Sequence, residues 1–222
     1  MSNKIKLSMI LLLFLIFTNI QSQSHLSPED SPFGFQNDFY DYYNIVSQQY
    51  YSKLSGSPIV AMICIPAFQK EWAVFIVRKN ETDTMIVYLI QSKENIYNKL
   101  HRLEEKNIIY DPHQNYTLVY KKVIDIKDAN SIREVLYKMT LNTRYENRST
   151  GGLDGTIYHF EVVGEYGRRA GKVYEAYEST ATGQMVRICN ILSKYTTSEE
   201  SKKEKILVSL RKMVKHLNDG LK

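Results

Sequence analysis

Three consecutive apolar runs constrain this chain more than any other feature. Residues Pro58–Ile65, Glu71–Lys79 and Thr84–Ile90 are short and rich in Val, Ile, Phe and Tyr, and only Pro66–Lys70 and Asn80–Asp83 separate them. Short runs of β-branched and aromatic residues punctuated by turn residues predict strands, and connections this brief make sequential strands antiparallel neighbours. The first two runs are apolar without strict alternation, which is the pattern of strands covered on both faces. They are expected at the centre of a sheet with helices on each side.

The remaining elements follow from periodicity. Asn37 and Asp38 are N-cap types opening a helix to about Leu54, with Phe39, Tyr43, Val46, Tyr50 and Leu54 on one face and Gly56 and Pro58 beyond its end. Residues 92–106 form a charged helix with Ile96, Leu100 and Leu103 on one side; His101 in it is solvated. Tyr116–Ile126 alternates weakly and reads as a strand. Asp128 is expected to cap a helix carrying Ile132, Val135, Leu136, Met139 and Thr143 on its apolar face and running to about 145. Thr156–Glu165 and Gly171–Glu178 read as strands joined by a turn at Gly167-Arg168-Arg169. Gln184–Tyr195 reads as a short helix. Ser198–Asn218 is an amphipathic helix with Ile206, Leu210, Met213 and Leu217 as its stripe and Gly220 closing it. The expected class is α+β: a mostly antiparallel sheet of about five to seven strands, with an N-terminal, a central and a C-terminal helix packed on it.

The first residues read as an address. Lys4 and Lys6 precede an apolar run from Leu7 to Phe17 broken only by Ser8, and a short polar stretch follows to Ser24. A basic start, an apolar core of about 7–15 residues and small residues at the cut predict a secretory signal peptide over residues 1–24, with Ser22 and Ser24 at positions −3 and −1. Cleavage after Ser22 is the other option. The apolar run is shorter than the roughly 17 residues a spanning helix needs. No cysteine follows it, so a bacterial lipoprotein anchor is excluded. Residues 25–222 are then one α+β domain, with 25–36 as a polar lead-in, destined for the periplasm or the medium.

Export changes how the two cysteines are read. Cys64 and Cys189 both lie in apolar runs. An oxidising compartment permits one disulfide between them, and the alternative is two buried thiols behaving as small apolar residues. Neither neighbourhood offers the base or helix start that activates a thiol. Three Asn-x-Ser/Thr triplets begin at Asn80, Asn115 and Asn147, all in or beside expected turns. Without Lys4 and Lys6 the mature chain has 27 basic against 24 acidic residues, a net charge of +3, too small and dispersed for a nucleic-acid partner. The basic face of the last helix (Lys202, Lys203, Lys205, Arg211, Lys212 and Lys215) admits contact with an anionic membrane surface, against a solvated face balanced by Glu199, Glu200 and Glu204.

Catalytic motifs are scarce. No Cys-x-x-Cys, His-Glu-x-x-His, phosphate-binding loop, dinucleotide fingerprint or Gly-x-Ser-x-Gly elbow occurs, and the five histidines are dispersed, so no cofactor or metal is expected. The conceivable chemistry lies at Thr143–Phe160. There Gly151-Gly152 and Gly155 bracket Leu153-Asp154, and a strand follows in which His159 and Glu161 share one face while Tyr158, Phe160 and Val162 share the other. His159 and Glu161 with Asp154 or Arg144 are the candidate acid–base group. In the alternative reading His159 and Glu161 face water, Asp154 bonds its own loop, Arg144 pins the helix end, and the stretch is a structural junction.

Thr143, Arg144, Tyr145, Gly152, Leu153, Asp154, Gly155, Tyr158 and Phe160 form a Thr-Arg-Tyr…Gly-Leu-Asp-Gly-x-x-Tyr-x-Phe pattern. It resembles one in uncharacterised bacterial proteins of similar size, over roughly residues 130–162. The resemblance implies a bacterial source and a structural signature, and it carries no activity. Together these readings lead to an exported, non-enzymatic binding protein with a protein partner, of the inhibitor or immunity kind. The alternative is a hydrolase of envelope or extracellular polymers acting through Asp154, His159 and Glu161.

Overall fold

In a computed structural model of the chain, residues 26–27, 38–79, 84–108, 111, 116–141, 143 and 155–221 are described. They contain α1 (Asp38–Tyr51), β1 (Ser57–Pro66), β2 (Trp72–Arg78), β3 (Met85–Ser92), α2 (Ile96–Glu105), β4 (Thr117–Ile124), α3 (Ile126–Thr140), β5 (Thr156–Gly164), β6 (Gly167–Tyr174), α4 (Ala181–Thr197) and α5 (Glu200–Gly220). The strands form one six-stranded sheet in the order β4-β3-β2-β1-β5-β6. Every neighbouring pair is antiparallel. The class is α+β, and the two strands with apolar residues on both faces, β1 and β2, lie at its centre.

Alternate residues feed two cores. Val60, Met62 and Cys64 of β1 join Val74 and Ile76 of β2, Phe160 and Val162 of β5, and the inner faces of α3, α4 and α5. Ala61, Ile63 and Ile65 meet Phe75, Tyr88 and Ile90 beneath Tyr42, Val46 and Tyr50 of α1 and Ile96 of α2. A buried Phe, Ile or Val side chain contributes about 1.5–3 kcal/mol, so this double layer dominates the fold's stability.

Local chemistry moved several boundaries. α3 opens at Ile126 because Asp125, not Asp128, caps it, its carboxylate accepting from Lys127 N at 2.7 Å. α3 ends at Thr140, so Thr143 lies beyond the helix, where its hydroxyl donates to Thr140 O at 2.6 Å. The β5–β6 turn is Glu165-Tyr166, with Gly164 opposite Gly167. Gly167 has φ 96°, a value that favours glycine, so Arg168 and Arg169 belong to the strand and not to the turn. α4 is longer than its sequence pattern suggested because Thr180 caps it, accepting from Gly183 N at 3.0 Å. In α5 the most buried residues are Leu207, Leu210 and Val214, with Ile206, Met213 and Leu217 packed beside them, and Gly220 is still helical.

Two glycines in β5 and the turn before it explain close approaches. A Cβ at Gly155 would stand 2.1 Å from the Tyr174 hydroxyl, and one at Gly164 would stand 2.2 Å from the Tyr137 ring. Aromatic rings from β6 and α3 therefore lie against backbone at both ends of β5. In the described part of Thr143–Phe160, Gly155 sits under Tyr174 and Phe160 is in the core, with Tyr158 packed against it.

Candidate functional site

His159 and Glu161 do share a face of β5, opposite Ile63 and Ala61 of β1, so both lie on the α1 side of the sheet. Their contacts with other residues lead in different directions. His159 is covered by Tyr43 of α1, with ring centroids 3.9 Å apart and planes 22° from parallel. Glu161 turns to Arg168 of β6, 3.2 Å away. Both are half-buried, one stacked under a helix and the other held across a hairpin. Arg144, Tyr145 and Asp154, and Asn80, Asn115 and Asn147 of the three triplets, lie outside the described residues, as does the stretch read as a signal peptide.

Cys64 and Cys189 are both buried in the larger core as free thiols, so the disulfide that the sequence permits is not formed. Burial pushes the Cys64 thiol well above its ordinary range and the Cys189 thiol up to about 12. Such thiols stay protonated and unreactive at neutral pH. Burial likewise raises Tyr158 to about 12.

One buried ionisable group escaped the sequence reading. Glu71, at the start of β2, is fully buried. It accepts from Ile96 N at 2.9 and 3.0 Å, and from the Tyr42 hydroxyl. A carboxylate at the first N–H of α2 matches the positive end of that helix. Burial first, then the Glu71 charge, drives the Tyr42 hydroxyl far above the ordinary tyrosine range, so it acts as a donor and not as an acid. This network ties α1, β2 and α2 together. Its residue types gave no signal because Glu71 sits 25 residues from the helix it caps.

The described residues show a groove of about 240 Å³ between α3 and α5, lined by Asp128, Glu134, Arg211 and Lys215 among others. It does not include His159 or Glu161. Arg211 grips Asp128 through Nε and a terminal nitrogen, at 2.9 and 2.8 Å, and reaches Glu204 at 2.8 Å. Lys202 and Lys203 pair with Glu199 and Glu200. Half of the basic face of α5 is thus balanced within the protein, which favours the solvated reading. Among the described residues no cluster of His, Cys, Asp and Glu is placed to hold a metal ion, and no helix is long and apolar enough to cross a membrane.

The feature that stands out is β4. It is one of the two edge strands of the sheet. Leu118, Val119, Tyr120 and Val123 on it are 44%, 37%, 38% and 58% exposed. Large apolar residues concentrated on a free strand mark an interaction surface far more often than singly scattered ones do. The backbone there is also open. Lys93 N donates to Tyr116 O, so the even-numbered residues of this strand bond to β3. Antiparallel alternation then aims the N–H and C=O of Val119, Lys121 and Val123 away from the sheet. Val123 O is taken by the Tyr195 hydroxyl at 2.6 Å. Val119 and Lys121 have no backbone partner among the described residues. The weak alternation of Tyr116–Ile126 was the visible sign of this, because an edge strand with apolar residues on both faces cannot alternate cleanly.

Comparison with family models, with curated proteins and with solved structures found no match to this chain.

Proposed function

We propose that this is an exported protein that acts by binding another protein, of the inhibitor or immunity kind, and not by catalysis. The observation that carries this reading is the β4 edge, where four large apolar side chains are exposed beside backbone groups of Val119 and Lys121 that have no partner among the described residues. The candidate acid–base residues support it from the other side. His159 is stacked on Tyr43, Glu161 is paired with Arg168, and the described groove lies elsewhere. Export rests on the basic start and apolar core of residues 1–24, with small residues at the cut.

The test is a pull-down with the mature protein from its own envelope and medium fractions. The expected result is one stoichiometric protein partner, lost with Val123→Asp while the melting temperature is unchanged. If no partner is recovered, and Asp154→Ala keeps the fold while abolishing a hydrolytic activity of the wild type, the hydrolase reading replaces this one.

A further inference from the structure

The β4 edge also carries information about the shape and charge of what binds it. We infer that its occupant is an extended segment of a protein partner that adds to the sheet as a seventh strand, with an acidic residue facing Lys121 between two apolar ones. This rests on the binding reading above and deepens it.

The backbone sets the mode. Val119 and Lys121 present two N–H and two C=O groups outward, and Val123 adds an N–H. The Tyr195 hydroxyl on Val123 O ends the open row at that side. A strand of about five residues fits this row, its main chain supplying affinity and its alternate side chains specificity.

The side chains set the chemistry. Val119, Lys121 and Val123 pair with Ile90, Tyr88 and Ile86, so they share the α1 face of the sheet. Lys121 is exposed, with its ammonium 5.1 Å from the Tyr88 ring centroid, and no carboxylate pairs with it among the described residues. Lys122, on the opposite face, is already engaged with Ser198 O at 2.6 Å. The free charge on the edge is therefore a single cation flanked by two valines, and its cross-strand complement is an acid flanked by apolar residues. Leu118 and Tyr120 extend the apolar character to the other face.

A second copy of this chain fits less well. A two-fold that continues the sheet pairs outward residues of the two edges. Centred on Lys121 it brings Lys121 opposite Lys121, and centred on Tyr120 or Lys122 it sets the two Lys121 side chains diagonally across the seam. Like charges at cross-strand positions are destabilising, and lysine on an edge is a common device against such pairing.

The probe is the peptide acetyl-Ser-Val-Ile-Glu-Ile-Val-Ser-amide, compared with its counterpart carrying Lys in place of Glu. The expected result is slowed hydrogen exchange at the amides of Val119 and Lys121 when the acidic probe is bound, and roughly three- to tenfold weaker binding of the basic probe. Lys121→Glu should reverse that preference. Val119→Pro removes an outward donor without touching the β3 ladder, and should weaken both probes by roughly three- to tenfold. Equal binding of the two probes, protection at other amides, or no binding overturns the inference. So does a dimer without probe in which Val119 and Lys121 are already protected, which assigns the edge to a second copy. If the probe fails while a captured partner is still lost with Val123→Asp, strand addition falls and the binding function stands.

Discussion

The two edges of the sheet are built in opposite ways. At β6 the N-terminal segment of the same chain covers part of the edge. Ser27 forms an antiparallel bridge to Lys172, with both N–H···O bonds at 2.8 Å, and Leu26 is 1% exposed in the larger core. Gly171 makes room: a Cβ there would stand 2.9 Å from Leu26 Cβ and 3.0 Å from Ser27 O. Arg168 and Arg169 add charge beside it, another way of protecting an edge. At β4 the side chains are apolar and exposed, and the outward amides of Val119 and Lys121 lack partners among the described residues. One edge is partly covered by this chain's own segment, and the other has the properties of a surface that takes one.

Leu26→Ala should cost about 2–5 kcal/mol, since it opens a cavity in the main core; denaturant melts measure it, and a loss below about 1 kcal/mol would mean that the β6 edge is not sealed by this residue. Gly171→Val should cost about 1–3 kcal/mol by forcing Leu26 and Ser27 off the strand, with Leu26→Ala partly relieving it in the double variant. Native-state hydrogen exchange compares the edges directly. The Lys172 amide, bonded to Ser27 O, should exchange at least about a hundredfold more slowly than those of Val119 and Lys121, equivalent to roughly 3 kcal/mol. Similar rates would erase the distinction. The smallest effect belongs to β4: Val123→Ser should change stability by no more than about 0.5 kcal/mol, because the side chain is mostly in water. A larger loss would make Val123 part of the fold and not of a surface.

Much of the sheet was legible before any coordinates. The runs from Pro58 to Ile90 announced three antiparallel strands, and the lack of alternation in the first two placed them centrally; β1 and β2 are the middle strands. Helix boundaries were less legible where two capping residues competed. Asp125 and Asp128 are both good N-caps, and only the backbone conformation chose Asp125. The candidate site was legible only as parity. His159 and Glu161 do share a face, but what covers that face is Tyr43, more than a hundred residues earlier in the chain.

What the amino-acid sequence determined by itself is local: which segments are strands or helices, which alternate residues share a face, and that two strands must be covered on both sides. Periodicity and turn chemistry act over a few residues, so they can be read from a string. Which strands form the rims, that Leu26 and Ser27 cover part of one of them, and that Val119, Lys121 and Val123 turn their amides outward on the other, was decided by tertiary structure alone. A strand becomes an edge only by its place among the other strands, and that is a property of the whole arrangement.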